Sequence, residues 1–152
     1  MTEREAITGG CQCGAVRYRI KGPLFGGHIC HCRMCQKAFG NFFAALVGVK
    51  KTDIAWPKGE PAVFRSSAIT SRGYCVSCGT PLTFAYDHTP HMSVSIGSLD
   101  HPELAKVENQ FGMEGTVPAF ATLHDLPGTR TEDDVSPEDM KKLRSLQHPD
   151  HD

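Results

Sequence analysis

Seven cysteines dominate the chemistry open to this chain of 152 residues: Cys11, Cys13, Cys30, Cys32, Cys35, Cys75 and Cys78. They form a C-x-C, a C-x-C-x-x-C and a C-x-x-C. In a reducing compartment, thiols so clustered are metal ligands or redox centres before they are disulfides. The odd count would also leave one thiol over in a fully paired disulfide framework. A structural zinc takes four thiolate or imidazole ligands, and a catalytic zinc typically takes three and keeps a position open. Seven cysteines divide naturally as four and three, which implies two zincs per chain.

The grouping follows from local chemistry. Gly14 follows Cys13 and Gly79 follows Cys78. A glycine there permits a positive φ, so the backbone can wrap tightly round an ion. We therefore expect Cys11, Cys13, Cys75 and Cys78 to form a closed structural site. It would tie the N-terminal strand to a hairpin about sixty residues later, the kind of long loop whose closure contributes to folding. The middle group has no such glycine; Gln36 and Lys37 follow Cys35. Cys30 and Cys32 face the same way in an extended segment, and a helical turn from Arg33 can bring Cys35 round to them. The result is a tripod with one position unfilled. The same alternation sends His31 to the opposite face. It puts His28 on the Cys30 face, as a candidate fourth ligand or supporting contact. Two alternatives stand beside the open tripod: a second structural zinc closed by a histidine, and a redox pair at Cys32 and Cys35. The redox pair lacks the βαβ context such a motif needs.

The elements that must position these groups read as short strands. Val16, Tyr18 and Ile20 alternate with charged residues, as in a half-buried strand. Phe42 to Val49 is a continuous apolar run suited to a buried strand, and Val63–Phe64 mark another short stretch. Alternation recurs at Leu82, Phe84 and Tyr86, at Met92, Val94 and Ile96, and at Val107, Asn109 and Phe111. The 15 glycines and 10 prolines fall between these runs as turns, so the expected fold class is mainly β. Arg33 to Phe39, ended by Gly40, reads as a short helix. Ser136 and Pro137 start a second, with Met140, Leu143 and Leu146 as its apolar stripe. We expect a zinc-binding domain over 1–125, then a linker (126–135) and a C-terminal amphipathic helix, with 148–152 frayed.

Composition removes several function classes. Apolar residues are 39% and charged residues 22%, an ordinary globular balance. The net charge of −1 and the lack of a basic run argue against a nucleic-acid partner. No apolar run approaches the ~20 residues of a membrane helix, and Met1 to Gly10 lacks the apolar core of a signal peptide. The expected location is the cytoplasm, with no membrane partner. The terminal helix leaves an oligomer open.

At these residues the sequence resembles the glutathione-dependent formaldehyde-activating enzymes, which share a domain with centromere protein V. The resemblance lies in Gly9–Tyr18, Cys30–Lys37, Ser66–Ser67, Arg72–Gly79 and, more weakly, Gly97–Asp100. It implies an Mss4-like, zinc-stapled β fold. It also implies a structural zinc at Cys11, Cys13, Cys75 and Cys78, and a catalytic zinc at Cys30, Cys32 and Cys35. The implied reaction joins glutathione to formaldehyde as S-hydroxymethylglutathione, and its reverse is a carbon–sulfur lyase step. Family members often carry a Trp near Ala119 or Phe120, and its absence here would alter one pocket wall.

A site that binds glutathione needs cations for its carboxylates. Arg72 is the first candidate and Lys37 the second, with Arg33 and Arg65 also in or beside the motifs. Trp56 reads as packing, whereas Tyr74 fits either core or site. The reading is a zinc-dependent enzyme acting on glutathione or a related thiol and an aldehyde. The alternative is a non-catalytic, zinc-stapled binding module.

Overall fold

Alternating apolar residues and frequent turn signals produce ten strands among the described residues, 6–152 of a computed structural model. In chain order they are β1 (Ile7–Gly10), β2 (Arg17–Ile20) and β3 (Phe25–Cys30), then helix α1 (Arg33–Phe39) and β4 (Ala44–Lys50). β5 (Ile54–Lys58), β6 (Ala62–Arg65), β7 (Thr70–Tyr74), β8 (Pro81–Tyr86), β9 (His91–Ser95) and β10 (Val107–Phe111) follow. Short helices α2 (Thr131–Asp134) and α3 (Pro137–Lys142) close the chain. β1, β2 and β5 make one sheet, and a second runs β10-β3-β4-β9-β8-β7-β6. Every named pairing is antiparallel except β10 with β3, which puts Phe111 beside Cys30. The fold is therefore mainly β, as the alternation predicts, and no described helix is long and apolar enough to cross a membrane.

β4 explains why the run at 42–49 is apolar throughout. Successive side chains of a strand leave on opposite faces. Val47 and Val49 enter a core with Tyr18, Ile20, Leu82, Val94 and Leu99. Ala44 and Leu46 pack instead with Cys35, flanked by Cys30, Cys32, Phe39 and Phe84. Trp56 stacks edge-on against Tyr18 at 5.6 Å and serves the core. Tyr74 lies exposed at the end of β7, outside both clusters.

The C-terminal expectations need correcting. Ser136 does cap α3, its Oγ accepting the Asp139 N–H at 3.1 Å. But α3 stops at Lys142, and the intended stripe stays in solvent: Met140, Leu143 and Leu146 are 38%, 59% and 92% exposed. Six residues make too short a helix to seat that stripe on a neighbour. The segment 126–135 also contains a helical turn, α2, and Pro118–Asp125 forms a 3-10 helix with no apolar periodicity to announce it. The last residues are docked rather than frayed. His148 N–H donates to the Gln12 carbonyl at 2.8 Å, and Asp152 accepts from Arg17 and Arg19.

Arg17 is the reason for that docking. Its side chain is buried and shares a two-pronged contact with Asp100, whose Oδ1 accepts from Nη1 at 2.9 Å. Thr8 also donates to Asp100. The pair joins β2 to the segment after β9, across the two sheets. Removing one partner strands a buried charge, which costs about 3–5 kcal/mol. Burial alone would raise the Asp100 pKa, but Arg17 and Thr8 outweigh it and hold the carboxyl below its usual value. A depressed carboxyl contributes stability above the unfolded pKa of about 3.9, and that stability is lost as pH falls through the lower folded value. Asp100→Asn should therefore lower unfolding free energy at pH 7 by about 3–5 kcal/mol in urea titrations. It should also flatten the loss of stability below about pH 4.

Candidate functional site

The structure brings the seven cysteines into two groups. Cys11, Cys13, Cys75 and Cys78 place their sulfurs within 4.8 Å of one another, and so do Cys30, Cys32 and Cys35. None of the seven is bridged. The division is the four-plus-three that the spacing suggests.

Two matching turns build the four-sulfur group. Gly14 N–H closes one onto the Cys11 carbonyl at 3.0 Å, and Gly79 N–H closes the other onto the Cys75 carbonyl at 2.8 Å. Both glycines have positive φ, +73° and +78°, which a side chain would strain. The Val16 N–H donates to Cys11 Sγ at 3.2 Å, and Thr80 Oγ1 lies 3.2 Å from Cys78 Sγ. Thiols this close cannot all ionise without a cation. Burial opposes ionisation of Cys78, but Thr80 and the Cys13 backbone and thiol bring it down to about 6. The Ala15 amide favours the Cys13 thiolate, yet crowding by the Cys11, Cys78 and Cys75 sulfurs pushes it up to about 11. A soft divalent cation would remove that conflict, so the donor set fits zinc.

The three-sulfur group sits where β3 meets α1. Cys30 ends β3, Cys32 precedes α1, and Cys35 lies buried in its first turns. α1 ends at Gly40 in the left-handed conformation, as read from the sequence. Burial chiefly raises the Cys30 thiol, to about 12. Cys32 is also disfavoured by burial, but the Cys35 and Met34 amides at the helix start and the neighbouring sulfurs hold it below the ordinary thiol range. Among the described residues, no other Cys, His, Asp or Glu joins this trio. The candidate fourth ligand His28 is diverted: its Nδ1 meets the Gly26 carbonyl at 2.9 Å and its ring packs edge-on against Phe111. His31 does point away, as its position in the alternation requires. It is fully buried, with Nε2 2.9 Å from Gln110 Oε1 and Phe120 against its ring at 4.6 Å. Phe120 thus packs behind the tripod and forms no part of the cavity wall described next.

The tripod opens into a cavity of about 660 Å³. The four-sulfur group does not line it. Arg72 does, 6% exposed, with Nη2 3.4 Å from Cys35 Sγ and Nε donating to Ser66 Oγ at 3.0 Å. Its guanidinium lies over Phe84 at 4.8 Å, and Nη1 has no protein partner. A fixed cation thus rests against one sulfur of the tripod. Lys37 is placed differently. It faces a separate, shallower groove with Arg33, Phe64 and Ser66, which shares only Met34 and Arg72 with the cavity. Arg65 is engaged elsewhere, by Asp87 at 2.7 Å.

Sequence reasoning gave no role to Gln36. Buried, it donates to the His31 and Gly115 carbonyls at 2.8 and 2.7 Å, holding the segment after β10 against the His31–Cys32 backbone. A polar residue one place after a cysteine on a buried helix face was the available signal.

The family model described as glutathione-dependent formaldehyde-activating enzyme matches residues 6–114, a span that contains all seven cysteines and Arg72. The chain belongs to this family. A crystal structure of a Rhodobacter sphaeroides protein, a Northeast Structural Genomics target, aligns with a TM-score of 0.56. It covers 68% of this chain and 99% of its own, at 20% identity, a likeness of fold. The family supports an enzyme of glutathione and formaldehyde chemistry in general, and the two cysteine groups can hold zinc.

Serine substitutions separate the two groups. Zinc-loaded wild type should hold two zincs per chain by elemental analysis. Cys75→Ser should lose one and lower the melting temperature sharply, since a metal-held loop closure goes with it. Cys35→Ser should also lose one zinc but melt within a few degrees of wild type.

Proposed function

We propose that this chain is a zinc-dependent carbon–sulfur lyase of the glutathione type, which joins a thiol to an aldehyde and releases them again. One observation carries the reading: among the described residues the three-cysteine tripod has no fourth protein ligand, and it opens into a cavity, while the four-cysteine group lies outside it. A closed Cys₃His site would favour a binding module, but His28 turns away from the sulfurs.

In this reading Cys11, Cys13, Cys75 and Cys78 hold a structural zinc, and Cys30, Cys32 and Cys35 hold the catalytic one. When bound there, zinc supplies a Lewis acid that lowers a substrate thiol's pKa or polarises a carbonyl oxygen. Three thiolates on Zn²⁺ leave a charge of about −1, which suits thiol exchange better than water activation. Arg72 offsets that charge beside Cys35. Arg33 and Lys37 line the adjoining groove and would take the carboxylates of glutathione. Met34, shared by groove and cavity, marks the passage between them. In the addition, the sulfur–carbon bond forms and the carbonyl π pair moves to oxygen. The thiol proton ends on that oxygen, and the reverse restores thiol and aldehyde. Clustered cysteines at metal-type spacings fit a reducing, cytoplasmic setting.

Exchange NMR between free glutathione and its formaldehyde adduct tests the reading against the spontaneous rate. Zinc-loaded protein should raise the exchange rate, and Cys35→Ser should return it to background. Arg72→Gln should cut the protein-dependent rate about tenfold to a hundredfold, the range for losing hydrogen bonds from a charged group. A background rate with fully loaded wild type, for formaldehyde and for larger aldehydes alike, would overturn the proposal.

A further inference from the structure

We propose that the carbonyl partner of this site carries an aryl or long alkyl body, and that the cavity beside Cys30, Cys32 and Cys35 is its seat. This rests on the thiol–aldehyde reading above and names its substrate class.

Size makes the first case. Formaldehyde has a single carbon, whereas the cavity measures about 660 Å³, within the range that encloses whole organic ligands. The walls make the second. Phe25, Ile69, Phe84, Tyr86, Met92 and Phe111 line it, with no Asp, Glu or Lys among the lining residues. Apart from the three cysteines and the imidazoles of His28 and His91, Arg72 is the one ionic side chain among them. Glutathione carries two carboxylates and an ammonium, and burying them against such walls would cost their hydration without replacing it. Its peptide has the basic groove of Arg33 and Lys37 next door. The apolar cavity is then left for the other half of the adduct.

Exposure at the rim makes the third case. Ile69 is 52% exposed and Phe111 53%, with Phe25 and Tyr86 also open to solvent around the same cavity. Apolar side chains gathered on one concave face mark a binding surface rather than scattered exposure. They are also arranged for a ring. Phe84 meets Tyr86 edge-on at 5.2 Å and Phe111 meets His28 edge-on at 5.1 Å, leaving aromatic faces and edges on two sides. The polar handle is Arg72, whose buried Nη1 has no protein partner and suits one ligand oxygen. The product is a hemithioacetal: the thiol sulfur bonds the carbonyl carbon, and the thiol proton ends on the former carbonyl oxygen. No oxidant or reductant enters.

Two stable analogues of the adduct, S-methylglutathione and S-(2-phenylethyl)glutathione, test this by calorimetric titration of the zinc-loaded protein. They share the peptide and differ only in the apolar group. The phenylethyl compound should bind about tenfold to a hundredfold tighter, as burial of one aromatic side chain implies. Ile69→Glu, a change at an exposed loop position, should shrink that ratio below about threefold. Equal affinities for the two compounds would overturn the apolar-partner inference and leave the glutathione reading standing. Binding of neither would remove the glutathione reading. Saturation-transfer NMR with 2-phenylethanol then decides the cavity alone: transfer abolished by Ile69→Glu supports an apolar ligand, and no transfer to wild type overturns it.

Discussion

Strand β4 has to be apolar on both faces because two different structures lean on it. Val47 and Val49 close the main core against Tyr18, Leu82 and Val94. Ala44 and Leu46, on the other face, back Cys35, and Leu46 lines the cavity. A strand with one solvated face could support only one of these. Core and site therefore share a wall one strand thick, and a change in β4 would be felt on both sides because protein interiors are close-packed. The sheet order reinforces the arrangement. β3, which carries Cys30, and β9, which carries Met92, flank β4 directly, so sulfurs and apolar wall are fixed by the same ladder.

The two cysteine groups solve the same electrostatic problem in different ways. Thiols packed within 4.8 Å repel once ionised. In the four-sulfur group, two turns offer backbone N–H and hydroxyl donors, and the geometry closes on itself. In the three-sulfur group, the compensation comes from the start of α1 and from the Arg72 guanidinium. A guanidinium is a strong choice for that place. It stays charged even when buried, stacks on Phe84, and can donate to sulfur and to Ser66 at once. A lysine has neither the fork nor the flat face, and burial readily shifts its pKa.

The legible part of this molecule was the part set by local rules. Cys-Gly pairs announced the two tight turns, alternation announced β2, β8, β9 and β10, and a continuous apolar run announced β4. Gly40 announced the end of α1. The placement of His31 and the turn that delivers Cys35 followed from periodicity alone. What the sequence did not carry was long-range. Charge singles out Arg72 in the sequence, but its contact with Cys35 depends on β7 and α1 meeting across 37 positions. Lys37, a candidate on the same ground, lies in the neighbouring groove because a residue two places after Cys35 on a helix faces elsewhere. The tail misled because its stripe looked amphipathic over a span too short to bury it, while its anchoring came from Asp152 meeting a buried arginine 135 positions away.

Arg72 and Met34 stand where the basic groove and the apolar cavity touch, and that meeting point constrains any chemistry assigned here. A charged peptide and an apolar carbonyl compound prefer opposite surroundings, so one uniform pocket would serve neither well. Two adjoining surfaces of opposite character let each half keep its own environment, and only the reacting atoms need to reach the sulfurs. The proposed division also accounts for the imbalance between the cavity's volume and its scarcity of charge. A site built for a one-carbon aldehyde alone would need neither the aromatic rim nor so much space. In the proposed reading, then, the tripod serves the thiol reaction, the groove takes the anionic thiol, and the walls take the carbonyl partner.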